Sequence, residues 1–247
     1  MLMFDKENLE HASPGGWMEE AYRFFSAKMS DTDHKFPCIP ATIGYKLNHF
    51  RYVFLSDPRT PQASEQLAKS LAAYGDQSKE IGSYTSLIAI FETPADLVEQ
   101  YHVEDYQGLF WDVLSKTSAQ DEQPWPEHIP QDPDHNVWEY CYGDEQYFMY
   151  CATPAHQRRQ SRHFPYFIFA ITPRWVLTEF NKNMSAAAQI KKKIRERITE
   201  YDETGVHPDL NFYGSEDNFE WKQYFLSDDE QPAAGKCPFA HLHMKKI

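Results

Sequence analysis

The stretch SYTSLIAIFE, residues 83–92, contains an uninterrupted apolar run from Leu87 to Phe91. Gly82 precedes the stretch and Pro94 follows shortly after it, and both residue types mark turns or the ends of elements. A short apolar run between such residues is typical of a strand that is buried on both faces of a sheet. The stretch therefore predicts a strand that needs a covering layer on each side.

Three other segments are predicted to be strands: HFRYVFL at 49–55, QYFMYCA at 146–152 and YFIFAI at 166–171. Helical spacing or helix start and end signals occur in four segments: 15–31, 57–82, 93–121 and 174–203. We expect one or two helices in the third of these segments and the longest helix in the fourth. The order of elements predicts an α+β (or α/β) fold, a single domain over residues 1–247 with a small central sheet flanked by helices.

The charge balance of the chain argues against a nucleic-acid partner. The sequence has 37 acidic residues against 24 lysines and arginines, a formal net charge of −13. Such a surface repels phosphate backbones unless the basic residues cluster tightly. The one basic cluster, QIKKKIRER at 189–197, lies in a predicted helix, where a solvated face explains it. We therefore expect no nucleic-acid partner.

Targeting and membrane signals are not apparent in the sequence. The first four residues, MLMF, are followed at once by Asp5, so an apolar signal region does not form. No apolar run approaches the ~20 residues of a membrane helix. The four cysteines are far apart and form no CxxC pair. These features predict a cytoplasmic protein with reduced cysteines and no membrane partner.

Several widespread catalytic motifs are missing from the sequence. It has no GxGxxG, no P-loop, no GxSxG and no HExxH. Dinucleotide, nucleotide and serine-hydrolase chemistry are therefore disfavoured.

The segment KCPFAHLHMKKI, residues 236–247, has three interpretations. In the first, Cys237 and Phe239 are apolar anchors that dock on the body of the protein. Cys237 and His241 have the spacing of half a zinc site, although no second half is evident. A Cys-Pro pair also suits heme, because a thiolate can bind iron and proline keeps the preceding cysteine extended. On the residues alone, apolar anchoring is favoured.

The loop TPAHQRRQSRHFP, residues 153–165, is the second candidate site. It contains Arg158, Arg159 and Arg162, whose guanidinium groups suit the carboxylates of heme propionates or of an acidic substrate. His156 and His163 add two possible iron ligands. Surface salt bridges to the excess acids are the simpler explanation of the arginines. Elsewhere in the chain, Cys38 follows Pro37, and we interpret it as a small buried hydrophobe.

Several of these segments together resemble the YqcI/YcgG family. They are Phe36-Pro37-Cys38, a following glycine with RYVF at 51–54, the arginine-rich loop, IRER at 194–197 and Cys237-Pro238-Phe239. The resemblance extends from about Phe36 to Phe239. It implies a heme-dependent N-oxygenase that hydroxylates a guanidine nitrogen or oxidises an amine.

The resemblance also implies roles for particular residues. Cys237 would be the axial ligand of heme b, since a thiolate favours cleavage of the O–O bond. His156, His163 and His241 are the other candidate ligands. Relatives tend to have histidine at three further positions, where this chain has Thr153, Arg174 and Tyr213. The loop arginines, Arg158, Arg159 and Arg162, would neutralise the heme propionates.

The implied partners are a small cationic guanidine or amine substrate and a separate electron donor. We expect an acidic residue, not identified by the sequence, to pair with the substrate nitrogen. Two other functions fit the same residues: a non-catalytic heme-binding sensor or carrier, and less well a zinc or non-heme-iron enzyme.

Overall fold

A computed structural model describes residues 2–12, 14–213 and 215–239. In these ranges the α-helices are α1 Lys6–Ala12, α2 Gly16–Ser30, α3 Ile39–Lys46, α4 Pro61–Ile81, α5 Ala95–Gln100, α6 Val103–Ser118, α7 Arg174–Asn181, α8 Met184–Tyr201 and α9 Glu220–Tyr224. A short 3₁₀ helix covers Gln160–Arg162. None of the described helices combines the length and the apolar character that crossing a lipid bilayer requires.

The strands are β1 Phe50–Leu55, β2 Ser86–Phe91, β3 Tyr140–Tyr142, β4 Glu145–Ala152 and β5 Ile168–Pro173. They form one sheet in the order β1-β2-β5-β4-β3. β1 and β2 are parallel and are joined through α4, whereas the other neighbours are antiparallel. This mixed sheet with helices around it confirms the predicted α+β fold class.

Strand β2 is buried on both sides, as its apolar sequence predicts. Leu87, Ala89 and Phe91 contribute to one core, which includes residues of α4 and α6. Ile88 and Ile90 contribute to a second core, which includes residues of α2. We call these two sides of the sheet the α4/α6 face and the α2/α3 face. They alternate because successive side chains of a strand point in opposite directions.

Aromatic rings hold α2 on the sheet. Tyr22 and Phe25 contact the ring of Tyr52 in β1 at centroid distances of 5.3 and 5.6 Å, both edge to face. This geometry is favoured by the charge distribution of the rings. The helical spacing of the apolar residues in 15–31 thus predicts both the helix and its buried face.

Other elements were not predicted from the sequence. Strand β3 has only three residues, too few to show a periodic pattern. Helix α3 lies outside the segments predicted to be helical, and Pro40 is in its first turn, where proline leaves no required amide unpaired. Helix α9 also lies outside the segments predicted to be helical.

The predicted longest helix, 174–203, is divided into α7 and α8. The side chain of Asn183 accepts a hydrogen bond from the amide of Ala186 at 3.1 Å and so begins a new helix. Asparagine favours such N-caps because its side chain replaces a missing backbone acceptor.

Gly44 allows α3 to pack directly on its neighbours. A Cβ atom at this position would lie 2.5 Å from the carbonyl oxygen of Tyr84 and 2.8 Å from Cε1 of Phe50. Both distances are shorter than van der Waals contact, so glycine is required for this approach. This close packing holds α3 against Phe50 of β1 and against Tyr84, which precedes β2.

Candidate functional site

A cavity of about 200 Å³ lies on the α2/α3 face and is open to solvent on one side. Its floor is formed by alternate residues of four strands, and its walls come from α2, the start of α3, the 163–164 segment and α7. Most lining residues are apolar, including Phe25, Met29, Phe36, Phe50, Ile88, Phe148, Phe164, Ile168, Val176 and Leu177. The polar or reactive lining residues are Lys28, Cys38, Tyr84, Ser86, Tyr150, His163 and Thr172.

His163 presents a neutral imidazole to this cavity. Its Nδ1 atom lies 2.7 Å from the carbonyl oxygen of His156, which can only accept, so Nδ1 carries the proton. Burial lowers the pKa of His163 below its usual range, which keeps the ring neutral at pH 7. Nε2 therefore keeps a free lone pair. A ring oriented by a carbonyl through its other nitrogen is the usual arrangement of a histidine that binds a metal.

Lys28 connects α2 to the segment that carries His163. Its Nζ donates hydrogen bonds to the carbonyl oxygens of Gln160 at 2.9 Å and His163 at 3.0 Å. Burial lowers the pKa of Lys28 to about 8, and the charge of Asp202 opposes part of this shift. The side chain is thus held at the cavity wall by the backbone on both sides of Arg162.

Cys38 lines the cavity immediately before α3. Burial raises the pKa of its thiol above the usual range, although the charge of Arg162 acts in the opposite direction. Cys38 is therefore a neutral thiol at pH 7, and a metal ion would have to displace its proton in order to bind. The sequence interpretation of Cys38 as an apolar residue did not anticipate its place in the cavity that His163 also lines.

The side chain of His156, another candidate ligand, is not among those that line the cavity. Its Nε2 donates to the carbonyl oxygen of Leu226 at 2.9 Å, and its Nδ1 accepts from the hydroxyl of Thr153 at 2.8 Å. The side chain is 1% exposed, and burial lowers its pKa to about 4. Coordination of iron by His156 would break one of these bonds, so the structure favours a supporting role in which its carbonyl orients His163.

The loop arginines are not among the residues that line the cavity. Arg158 is exposed, and its backbone amide donates to the carboxylate of Asp228. The guanidinium of Arg159 is buried and donates to the carbonyl oxygens of Ser227, Gly205 and Asp229. Arg159 therefore ties the loop to the 205–229 region through protein acceptors.

Arg162 is also buried and bound by the protein. Its guanidinium donates to the carbonyl oxygens of Cys151 at 3.2 Å, Tyr224 at 3.0 Å and Gln223 at 3.1 Å. It also lies 4.3 Å from the ring centroid of Tyr150. The proposed contact of these arginines with heme propionates stays a prediction, and these bonds supply another reason for the arginine-rich sequence.

Cys237 lies across the sheet from the cavity. It is fully buried in the core on the α4/α6 face, together with Phe239. The ring of Phe239 contacts those of Trp138 and Tyr140 at 5.7 and 5.6 Å. The structure therefore supports the apolar-anchor interpretation of these two residues, and iron binding by Cys237 stays a prediction. His241, another candidate ligand, lies outside the described residues.

The cavity is thus lined by one of the predicted ligands, His163, and by two residues that were not predicted to belong to a site, Cys38 and Lys28. A signal for Lys28 was present in the sequence. It follows Phe25 by three residues and precedes Met29, which places a charge on the buried face of α2. In residues 2–12, 14–213 and 215–239, no group of three His, Cys, Asp or Glu side chains could hold a metal ion.

A second cavity, of about 230 Å³, contains a serine–histidine contact. Nε2 of His207 lies 3.0 Å from Oγ of Ser227. However, the amide of Asp209 donates to Nδ1 of His207 at 3.2 Å, so the proton is on Nε2. Nε2 then donates to the serine and cannot accept its proton, as a catalytic base must. This contact stabilises the 207–229 region and does not activate Ser227.

The burial of His207 predicts acid sensitivity. Burial lowers its pKa from 6.5 to about 4. Between these values the unfolded chain binds a proton that the folded chain does not, so stability falls as the pH falls from about 6.5 to 4. We expect this residue to account for up to about 3 kcal/mol of that loss. Urea unfolding at pH 7, 5.5 and 4 measures it.

The variant His207→Gln should show a weaker pH dependence over this interval, whatever its stability at pH 7. The exposed His11 is the matched control, and His11→Gln should keep the pH dependence of the natural chain. An unchanged pH dependence in His207→Gln would show that other groups cause the acid sensitivity.

Comparison with known proteins agrees with the resemblance seen in the sequence. The YqcI/YcgG family matches residues 25–240. YqcI of Bacillus subtilis (strain 168), described as an uncharacterized protein, is 44% identical over 243 residues, which cover 98% of this chain and 94% of YqcI. YcgG of the same organism, described in the same way, is 44% identical over 226 residues, 92% of this chain and 89% of YcgG.

A more distant relative has a name that states an activity. "Putative N(omega)-hydroxy-L-arginine synthase DcsA" of Streptomyces lavendulae is 29% identical over 229 residues, 91% of this chain and 84% of DcsA. No solved structure matches the chain. The family match covers most of the sequence, and two relatives of nearly equal length share 44% identity with it. The chain therefore belongs to the YqcI/YcgG family.

Proposed function

We propose that the protein is a heme-dependent N-oxygenase of a small guanidine or amine, with the heme in the cavity on the α2/α3 face. The observation that carries the proposal is His163, a neutral imidazole with a free Nε2 lone pair at the wall of an apolar cavity. The name of the distant relative DcsA supports N-hydroxylation as the reaction class.

The residues of the cavity fit a heme. A porphyrin supplies four nitrogen ligands, so one axial side chain is enough to hold the iron, and His163 would provide it. The apolar walls suit the porphyrin faces, and the open side suits its charged edge. At about 200 Å³ the cavity is smaller than the ~300–1,000 Å³ of typical ligand sites, so only part of a porphyrin would be enclosed.

The chain would act on the reaction in three ways. The hydrogen bond from His163 to the carbonyl of His156 would fix the ligand ring. The two bonds from Lys28 would hold the backbone beside it in place. The aromatic walls would exclude water. A bound heme would supply the activation of O₂ for transfer of oxygen to the substrate nitrogen, with electrons from a separate donor.

The substrate nitrogen would require a different partner from the one we expected. None of the described residues that line the cavity is an Asp or Glu. The acidic chain, with a net charge of −13, would still attract a cationic substrate at low ionic strength.

A turnover experiment tests the proposed function. The hemin-loaded protein is incubated with a chemical reductant, O₂ and a panel of arginine-like and aromatic amines, and products are analysed by mass spectrometry. We expect a product with one added oxygen, and none from His163→Ala. If heme is bound but no member of the panel gains oxygen with O₂ or with peroxide, the sensor or carrier function replaces this one.

A further inference from the structure

We propose that the ammonium group of Lys28 binds a carboxylate inside the cavity. The proposal deepens the proposed function and rests on it, because the carboxylate would belong to a porphyrin propionate or to an amino-acid substrate. Both sources offer the same chemistry to Lys28, and binding measurements distinguish them.

Lys28 is the one residue with a positively charged side chain among the described residues that line the cavity. The other lining side chains are apolar or uncharged apart from the imidazole of His163, whose Nδ1 donates to the carbonyl oxygen of His156. A carboxylate that enters this cavity therefore has a single cation to contact. In this proposal a lysine on another element has the carboxylate-binding role that the sequence predicted for the loop arginines.

The ammonium group retains a donor for such a ligand. It has three N–H groups, of which two donate to the carbonyl oxygens of Gln160 and His163. In the part of the chain that the structure describes, no acceptor is present for the third. The faces of Phe36 and Tyr201 lie 5.6 and 5.3 Å from Nζ and flank the charge.

The ammonium group also lacks a counterion within ion-pair distance in the described ranges. The carboxylate of Asp202 acts electrostatically on Lys28, but its oxygens already interact with other residues. They accept from the amide and the hydroxyl of Ser161 at 2.6 and 2.8 Å, and one lies 3.5 Å from Arg159. A half-buried cation without a paired anion is unfavourable, and a ligand carboxylate would complete its interactions.

Binding of hemin tests the first source of the carboxylate. The affinity for hemin and for hemin dimethyl ester, whose propionates are blocked, is measured for the natural chain, Lys28→Met and Lys28→Arg. If a propionate binds Lys28, we expect Lys28→Met to weaken hemin binding at least tenfold and to leave ester binding unchanged. Lys28→Arg should keep most of the affinity.

Binding of arginine tests the second source. Arginine and its decarboxylated analogue agmatine are titrated calorimetrically into the same three proteins, without hemin and with it. If a substrate carboxylate binds Lys28, Lys28→Met should weaken arginine binding at least tenfold and agmatine binding little. Exposed Lys35 is the matched control, and Lys35→Met should change neither affinity.

Either selective loss supports the proposal. Equal weakening of the acid and its analogue without a free carboxylate would overturn it, since that pattern means only that the segment around His163 has moved. Unchanged affinity for both acids, or no binding of either acid by the natural chain, would also overturn it. Failure of the natural chain to bind hemin contradicts the proposed function, whereas selective loss of arginine binding would still support the carboxylate site.

Discussion

Replacement of His163 by glycine should abolish the Soret band of the hemin-loaded protein. In metal sites, loss of a residue that merely orients a ligand weakens metal binding by about 10–100-fold. Loss of the ligand itself should therefore weaken hemin binding by more than about 100-fold. The chain should remain folded, because the side chain of His163 makes one hydrogen bond, to the carbonyl of His156, and partly faces the cavity. Hemin titration with absorbance detection measures the effect.

Four controls identify the ligand. Added imidazole should restore the Soret band in His163→Gly, because it replaces the missing ring in the space that the glycine leaves. The exposed His34→Ala should behave like the natural chain. Cys38→Ser and Cys237→Ala should keep the band.

The opposite pattern would show thiolate ligation. If His163→Gly keeps the spectrum while Cys38→Ser or Cys237→Ala loses it, iron is bound by that cysteine. The ferrous–CO complex would then absorb at the long wavelength typical of thiolate-bound heme.

Replacement of Arg162 by alanine should destabilise the protein by about 3–5 kcal/mol, because it leaves buried carbonyl acceptors without a donor. Those acceptors belong to Cys151, Tyr224 and Gln223, and the guanidinium also lies over the ring of Tyr150. Urea unfolding followed by tryptophan fluorescence measures the loss.

Arg158 is the matched control for this prediction. Its side chain is exposed, so Arg158→Ala should change the free energy of unfolding by no more than about 0.5 kcal/mol. If Arg162→Ala instead leaves stability unchanged and selectively weakens hemin binding, Arg162 binds a propionate, as the sequence suggested.

Much of the fold could be predicted because its central elements have strong local patterns. The apolar run Leu87–Phe91 and the aromatic segment 50–55 are short and bounded by turn residues, which is typical of buried strands, and both are strands. Strand β3 has no such pattern, because three residues next to a turn acquire their pairing only from β4. Helix α3 was missed because a proline in a first turn looks the same in sequence as one that ends an element.

The site could be predicted only in part, because it depends on which residues meet across the fold. His163, which lines the cavity, was among the predicted candidates, since a loop rich in His and Arg between two strands is a common place for function. The position of Cys237 could not be derived, because the side of the sheet on which a distant segment packs is decided by tertiary contacts. The hydrogen bonds of Arg159 and Arg162 within the protein could not be predicted, because most of their acceptors are backbone carbonyls, which no sequence pattern reveals.

The central claim is that this chain binds heme, and the visible absorption spectrum of the purified protein tests it most directly. The protein is expressed with adequate iron, purified, and measured before and after titration with hemin. We predict a Soret band in the purified protein, or equimolar uptake of hemin that produces one, and loss of both in His163→Gly. A colourless protein that takes up no hemin would contradict the claim.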